Sequence, residues 1–406
     1  MIHKISFKNF KLFKNEQTIE FRPITILIGK NNSGKSSILK LITAIEGALK
    51  SKDPEPINLI NDDVVLGNEY KDLIYGKFGR ALEIKLFQKN DTNDKYTELS
   101  VEIAFDLNKN KPILEYWKLG NVLEFRNIRN NIYQNEIDGE EYNCNFGGIY
   151  LNNYSNKNKA DLSNALPGQV FKLNADFIGS VRAKTEKYYD YKPNGNKSKK
   201  SKIDGSNLYE FLIGDWLSTE KKYFNKISEW IRQKFEDWDI YIDVDSEPFH
   251  IELRKEELKV NLTETGMGIG QSLPLIIRAI KPCTEETLII IEEPECHLHP
   301  YAHAQLAQLF ANSLKDDSNK KYLIETHSQN FVLRLRRLVA EGELNHKDLA
   351  IYYVDFDEEK NESNLREIKV DDGGGVDWWP SGIFGETSIE TRAIYNAQIN
   401  DLKNVD

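Results

Sequence analysis

The chain has 406 residues, room for two to three domains of roughly 150 residues each. Its 54 Lys+Arg against 64 Asp+Glu give a net charge of −10, which excludes an overall electrostatic grip on nucleic acid or anionic membrane and leaves only a local patch for such contact. Hydrophobic residues at 40% and aromatics at 11% exclude a disordered chain.

Met1 to Lys14 alternates apolar residues with lysines and lacks the continuous apolar segment of a secretory signal. Apolar runs such as Thr287–Ile291 and Leu273–Ile277 fall far short of the ~20 residues of a membrane helix. Cys144, Cys283 and Cys296 form no C-x-x-C pair, so a cytoplasmic, reducing location is expected.

Residues 1–30 read as a β-meander. Ile5 and Phe7 alternate with polar neighbours, Thr18–Phe21 makes a short strand, and the apolar run Ile24–Ile28 ends at Gly29. The next stretch, Gly29-Lys30-Asn31-Asn32-Ser33-Gly34-Lys35-Ser36, fits G-x-x-x-x-G-K-[ST] at every position. It precedes a predicted helix over Ser36–Lys50, whose stripe is Ile38, Leu39, Ile42 and Ile45. A loop of this kind wraps a polyphosphate. Its glycines let the backbone of Gly29, Asn31, Asn32, Ser33, Gly34, Lys35, Ser36 and Ser37 turn N–H groups toward the anion; Lys35 offers a point charge to the β/γ oxygens, and Ser36 a hydroxyl to Mg²⁺.

Residues 81–88 and 99–107 alternate as strands of an antiparallel lobe. From Asn121 to Asn164 the composition turns rich in Asn, and loops with short strands of variable order are expected. Asn158-Lys159-Ala160-Asp161 mimics a guanine-reading N-K-x-D, but it falls in this loop and not at a strand tip, so coincidence is the reading. Arg182 to Lys202 mixes Lys184, Lys187, Lys192, Lys197, Lys199 and Lys200 with Tyr188, Tyr189 and Tyr191. That is the composition of a DNA or RNA contact, and equally of a solvated lysine loop. Leu212, Ile213, Trp216, Phe224, Ile227 and Ile231 then mark one or two amphipathic helices.

The last third alternates strand (Leu288–Ile291, Tyr322–Ile324, Ile351–Val354) with helix (Tyr301–Leu314, Asn330–Ala340), the rhythm of a parallel α/β sheet. Thr287–Ile291 delivers Glu292 and Glu293 at its C-terminal edge, where open α/β sheets bind ligands. Glu292 is the candidate magnesium-side carboxylate and Glu293 the candidate general base. The following strand leads into Glu325-Thr326-His327-Ser328, placing His327 where it can reach a terminal phosphate. Cys296, His297, His299 and His303 cluster at a spacing that can chelate zinc, but they follow the acids without an H-E-x-x-H, and zinc is set aside. Asp355-Phe356-Asp357 could serve a nuclease metal, yet too few residues follow His327 for such a domain; acids at a strand end facing water are the default. Trp378 and Trp379 beside Pro380 read as caps of a core.

Taken together, these motifs resemble the ABC-type ATPase heads of the RecF/SMC class, and within it the OLD-like and small AAA-type ATPases of bacterial anti-phage defence. The resemblance is carried by the strand Ile5 to Phe13, by Gly29–Ser36, by the run Glu292 to Pro300 and by Glu325–Ser328, and more loosely by Phe177–Arg182 and Asp377–Phe384. It implies an α/β P-loop NTPase fold of ABC-ATPase type, with an antiparallel β lobe, a parallel α/β lobe and an inserted helical region. The implied division is an N-terminal lobe over 1–90, an inserted β, loop and helical region over 91–240 and a C-terminal lobe over 241–406.

The same resemblance implies ATP and Mg²⁺ as cofactors, Glu293 and His327 as catalytic residues, and Ser36 and Glu292 on the metal. It also implies a signature loop within Gly266–Ser272, with Gly268, Gly270 and Gln271 touching the phosphate held by a second subunit; Gly268 stands where the L-S-G-G-Q form has a serine. The implied working form is a homodimer or higher homo-oligomer that controls a separate effector protein, with no membrane partner. A DNA repair or OLD-like nuclease-associated ATPase and a nucleotide-gated scaffold stand as alternatives.

Overall fold

Strands with one apolar face and strands with two sort into different sheets in the computed structural model, which describes residues 1–77, 79–89, 96–106, 111–129, 131–156, 171–191, 200–243 and 248–403. The half-buried strands are β1 (Ile2–Lys8), β2 (Gln17–Glu20), β6 (Leu82–Lys89), β7 (Tyr96–Asp106), β8 (Lys111–Leu119), β9 (Leu123–Arg129), β10 (Ile132–Asn135), β11 (Glu141–Gly147) and β12 (Tyr150–Ser155). They form one sheet in the order β12-β11-β10-β9-β8-β7-β6-β1-β2. Strands β6 and β7, which flank residue 90 in the sequence, pair with each other in this layer. A small ribbon of β4 (Ile60–Asn61) and β5 (Val64–Val65) lies apart from it.

The meander expected over residues 1–30 breaks after β2. Strand β3 (Ile24–Gly29) is buried at all six positions, and a strand apolar on both faces belongs inside a parallel sheet covered on both sides. It joins β13 (Ala175–Ile178), β17 (Thr287–Glu292), β18 (Lys320–Glu325), β19 (Leu349–Asp357) and β20 (Glu362–Ile368) in the order β13-β17-β18-β3-β19-β20. All pairs here are parallel except β19–β20.

One face of this sheet, through Leu27, Leu288, Ile290 and Leu323, shares a core with helix α1 (Lys35–Lys50) and the antiparallel sheet. The other face, through Ile26, Ile28, Ile289, Ile291 and Ile324, packs against the remaining helices of the body. These are α2 (Leu208–Leu217), α3 (Lys222–Lys234), α4 (Met267–Ile280), α5 (Pro300–Asp316) and α6 (Gln329–Ala340). Each such Ile or Leu contributes roughly 1.5–3 kcal/mol through burial.

The Asn-rich stretch, expected as loops with short strands, pairs into the sheet up to Ser155. Tyr142, Cys144 and Phe146 point inward along β11 while Glu141, Asn143 and Asn145 face out. An aromatic cluster of Trp117, Phe125, Phe146 and Tyr154 supplies cross-strand packing that outweighs the low strand propensity of Asn. Asn158–Asp161 lies outside the described residues.

The helical stretch after it resolves into two helices, because Asp215 Oδ2 accepts from Tyr223 and Phe224 N–H at 2.8 and 2.7 Å and starts α3 afresh. A three-stranded ribbon of β14 (Asp239–Asp243), β15 (His250–Lys255) and β16 (Leu258–Asn261) follows. The chain ends in α7 (Glu386–Lys403). Among the described residues no helix is long and apolar enough to cross a membrane.

Candidate functional site

Strand β3 hands the chain to α1 through Gly29–Gly34, and the loop is shaped by what surrounds it. A Cβ on Gly29 would stand 2.3 Å from the carbonyl oxygen of Val354 in β19, and one on Gly34 (φ 101°) 2.9 Å from the Phe13 ring. Only glycine fits either place. Asn32 takes a left-handed φ of 62°, and the Ser33 carbonyl accepts from Ser363 Oγ at 2.7 Å. Gly34 caps α1 without a side-chain hydrogen bond, leaving first-turn N–H groups of Lys35, Ser36 and Ser37 open to an anion. Asn31 and Asn32 are exposed on the loop.

Buried Lys35 curls over this loop, its Nζ donating to the carbonyls of Gly29 and Lys30 at 3.1 and 2.7 Å. Burial pushes its pKa down, against the pull of Glu325 and Glu293. Ser36 Oγ donates to Glu325 Oε2 at 2.7 Å, and Lys35 Nζ lies 3.7 Å from Glu325 Oε1. Burial raises Glu325 to about 7, opposed by those two contacts. Register explains the placement: β18 lies between β17 and β3, with Glu325 opposite both Glu292 and Leu27.

Glu292 stands beside Glu325 in the register but makes a different contact. Its Oε2 accepts from Ser180 N–H at 3.4 Å, and its Oε1 is buried with no hydrogen-bond partner. Burial raises its pKa against the opposing charge of Lys40. Glu293 follows in a left-handed turn (φ 43°), its N–H donating to the Glu325 carbonyl at 2.9 Å. Behind the turn the buried guanidinium of Arg182 donates through Nη2 to the carbonyls of Glu292 and Glu293, both at 2.9 Å.

Exposed His327 brings Nε2 to 4.0 Å from Glu293 Oε1, and burial of part of its ring, then the charge of Lys35, lowers its pKa. Its position is fixed by Glu295, which accepts from the His327 N–H and, at 2.8 Å, from Thr326 Oγ1. Glu293, Glu325 and His327 place ligating atoms within 4.8 Å of one another. A cavity of about 380 Å³ bordered by Gly29, Lys30, Asn31, Thr326 and His327 opens beside them.

The oxygens of Ser36, Glu292, Glu293 and Glu325 are the donor set of a hard divalent cation. The orphaned Glu292 Oε1, together with Ser33 Oγ, likewise buried without a partner, fits Mg²⁺ beside a phosphate.

The glycine-rich segment lies apart from this cavity. Helix α4 begins at Met267, inside the segment expected as a loop, so Gly268, Gly270 and Gln271 sit within its first turns. A Cβ on Gly270 would stand 2.6 Å from Thr185 Cγ2. Gln271 and Ser272 are buried, and Ser272 Oγ bonds back to the Ile269 carbonyl at 3.1 Å. Gly268 instead borders a second cavity of about 420 Å³, with Trp238, Leu298 and Tyr301.

Sequence reasoning did not nominate Glu325 or Arg182 for the site. An acid directly after an apolar strand is the signal that nominated Glu292, and it was equally present at Glu325. Arg182 was hidden in the basic stretch, where Lys200 also turns inward: its Nζ binds Glu46 at 2.6 and 2.7 Å and Asp62 at 2.6 Å. Lys192, Lys197 and Lys199 lie outside the described residues. Both ring nitrogens of His303 are engaged, with Ser328 Oγ at 2.8 Å and the Leu298 carbonyl at 3.0 Å.

Comparison with known proteins adds three findings. Residues 1–332 match the AAA ATPase domain family, and residues 344–394 match a family described as a protein of unknown function (DUF3696). A Helicobacter pylori protein named ATP/GTP phosphatase is 24% identical over 378 residues, spanning 86% of this chain and 90% of its own. Among solved structures, an SMC head bound to the C-winged helix domain of ScpA aligns at 13% identity and a TM-score of 0.47, covering 91% of this chain and 98% of that one. The SMC head domain from Thermotoga maritima aligns at 14% identity and 0.43, covering 91% and 99%.

Proposed function

The chain belongs to the AAA ATPase domain family and is an ATPase, and on that premise we propose that it is a head of ABC type that works as an ATP-driven switch between copies of itself. ATP lies on the Gly29–Ser37 loop, with Lys35 released from the Gly29 and Lys30 carbonyls to the β/γ oxygens. Ser36 and Glu292 would hold Mg²⁺, with Glu325 beside them, and the bound ion would supply charge neutralisation for phosphoryl transfer.

Glu293 takes the proton of the attacking water. Its left-handed turn and the grip of Arg182 on the backbone fix its carboxylate, so little reorganisation is needed when charge develops. His327, which its surroundings favour as the neutral ring, donates a hydrogen bond to the terminal phosphate. The observation that carries this reading is the meeting of Glu293, Glu325 and His327 within 4.8 Å, with Glu325 in turn contacting Lys35 and Ser36.

The start of α4 serves the phosphate of a second copy, a reading supported by Gly268 bordering a cavity separate from that of the phosphate loop of its own chain. The working form is then a homodimer or larger ring whose geometry follows nucleotide state. Control of a separate effector in anti-phage defence follows from the resemblance of the acidic run and the closing segment to ATPases of such systems. Labelled ATP uptake by wild type and Lys35→Ala, with sizing in the presence and absence of ATP, tests the switch. Equal uptake by both proteins, or an unchanged size, would overturn it.

A further inference from the structure

The closing segment is tied down on β20 and on itself, and it faces the phosphate loop across a cavity. Trp378 Nε1 donates to the Glu367 carbonyl at 2.9 Å, with the Arg366 guanidinium 3.7 Å over its ring. Trp379 Nε1 donates to the Ile383 carbonyl at 2.9 Å, and its ring meets Phe384 at 5.9 Å. Between those anchors the backbone turns twice through the left-handed region, at Gly382 (φ 76°) and at Phe384 (φ 58°). The first is easy for glycine; the second is strained for a bulky side chain and persists only where the surroundings impose it. The ring so held is only half-buried. With Gly382 and Ile383, it borders the same 380 Å³ cavity as Gly29, Asn31 and His327.

The strands that precede the closing segment, β19 and β20, do touch the loop. The Val354 carbonyl abuts Gly29, and Ser363 Oγ holds the Ser33 carbonyl. The AAA ATPase match ends at residue 332, before all of these residues.

Resting on the reading of Gly29–Ser37 as a nucleotide loop, we propose that the turn Gly382-Ile383-Phe384 is a wall of the nucleotide site, closing the room that receives the terminal phosphate of a nucleoside triphosphate. Asn31 and His327 supply the polar side of that room. Ile383 and Phe384 supply an apolar side that displaces water around the phosphoryl group and strengthens the polar contacts made there. A diphosphate does not fill this room, so the wall sets the preference for triphosphate over diphosphate.

The test titrates fluorescent ATP and ADP analogues into wild type, Phe384→Ala, Ile383→Ala and Phe384→Leu, with melting curves in the absence of nucleotide as a check on folding. The alanine variants are expected to weaken ATP by about tenfold while shifting ADP by less than about twofold, with Phe384→Leu restoring most of the difference. Trp379→Phe should remove an ATP-dependent change in tryptophan emission. Equal weakening of ATP and ADP, or none of either, in folded alanine variants overturns the wall. Wild type that binds neither nucleotide overturns the loop reading first; wild type that binds both, with unaltered discrimination in the variants, overturns the wall alone. Should Phe384→Ala not fold, Ile383→Ala decides.

Discussion

Ser36 Oγ and Glu325 Oε2 lie 2.7 Å apart although 289 positions separate them in the sequence. The hydroxyl expected on the metal is thus already held by a carboxylate that sequence reasoning did not name. Glu325 both braces the phosphate loop and costs the fold something, because burial raises it from 4.5 to about 7.

The pH dependence of that cost has a definite sign. Below the ordinary value of 4.5 the folded and unfolded chains both carry the proton and Glu325 is neutral in its effect. As pH rises toward 7 the unfolded chain releases the proton more readily, so stability falls, and above about 7 the full cost of about 3 kcal/mol is present. Glu325→Gln should therefore stabilise the protein in urea denaturation at pH 8 and do little near pH 4.5. An equal gain at both pH values would remove the titration of Glu325 as the cause.

Glu293→Gln should keep ATP affinity and slow phosphate release by roughly 100-fold or more, the usual worth of a general base. Sizing of this variant with ATP should show the larger species accumulating. Normal turnover would take Glu293 out of the role.

Arg182→Met removes a buried cation from the carbonyls of Glu292 and Glu293, where its Nε and Nη1 have no partner of their own. Losing the two charge-assisted bonds should cost about 2–3 kcal/mol of stability and slow hydrolysis through the loosened acidic turn, with ATP affinity changed less than about threefold. A variant that loses ATP binding while hydrolysing normally per bound nucleotide would contradict this positioning role.

Lys200→Met leaves Glu46, which is fully buried, with Lys50 and Asn61 as its partners among the described residues. Removing one side of such a pair should destabilise by about 2 kcal/mol, less than a fully buried pair because Lys200 is itself partly exposed. DNA affinity and its salt slope should not move. A reduced slope would return Lys200 to a nucleic-acid surface.

Much of the parallel layer was legible because its strands are continuous apolar runs bounded by function-bearing punctuation: Ile24–Ile28 before Gly29, Thr287–Ile291 before Glu292, Tyr322–Ile324 before Glu325. The Asn-rich stretch, where short strands among loops were expected, holds more regular strand than its composition suggests. Tyr142, Cys144 and Phe146 alternate cleanly with polar residues, and that alternation places a strand whatever the polar residues are. The destination of β3 could not be read locally, since its partners β18 and β19 come from the other end of the chain. Glu325 was hidden for the same reason: which acid meets Ser36 depends on cross-strand register, a property no single segment carries. The early start of α4 escaped because Gly268 and Gly270 look like loop residues, whereas close neighbours such as Thr185 leave no room for a Cβ at Gly270.

The insertion of β3 between β18 and β19 has a consequence for how the protein is made. The strand that carries the phosphate loop, Ile24–Gly29, leaves the ribosome well before its flanking strands, Lys320–Glu325 and Leu349–Asp357. At roughly 5–20 residues per second, an apolar hexapeptide waits tens of seconds without its neighbours, so nascent chains halted before β19 should be clients of holding chaperones and unable to take up nucleotide.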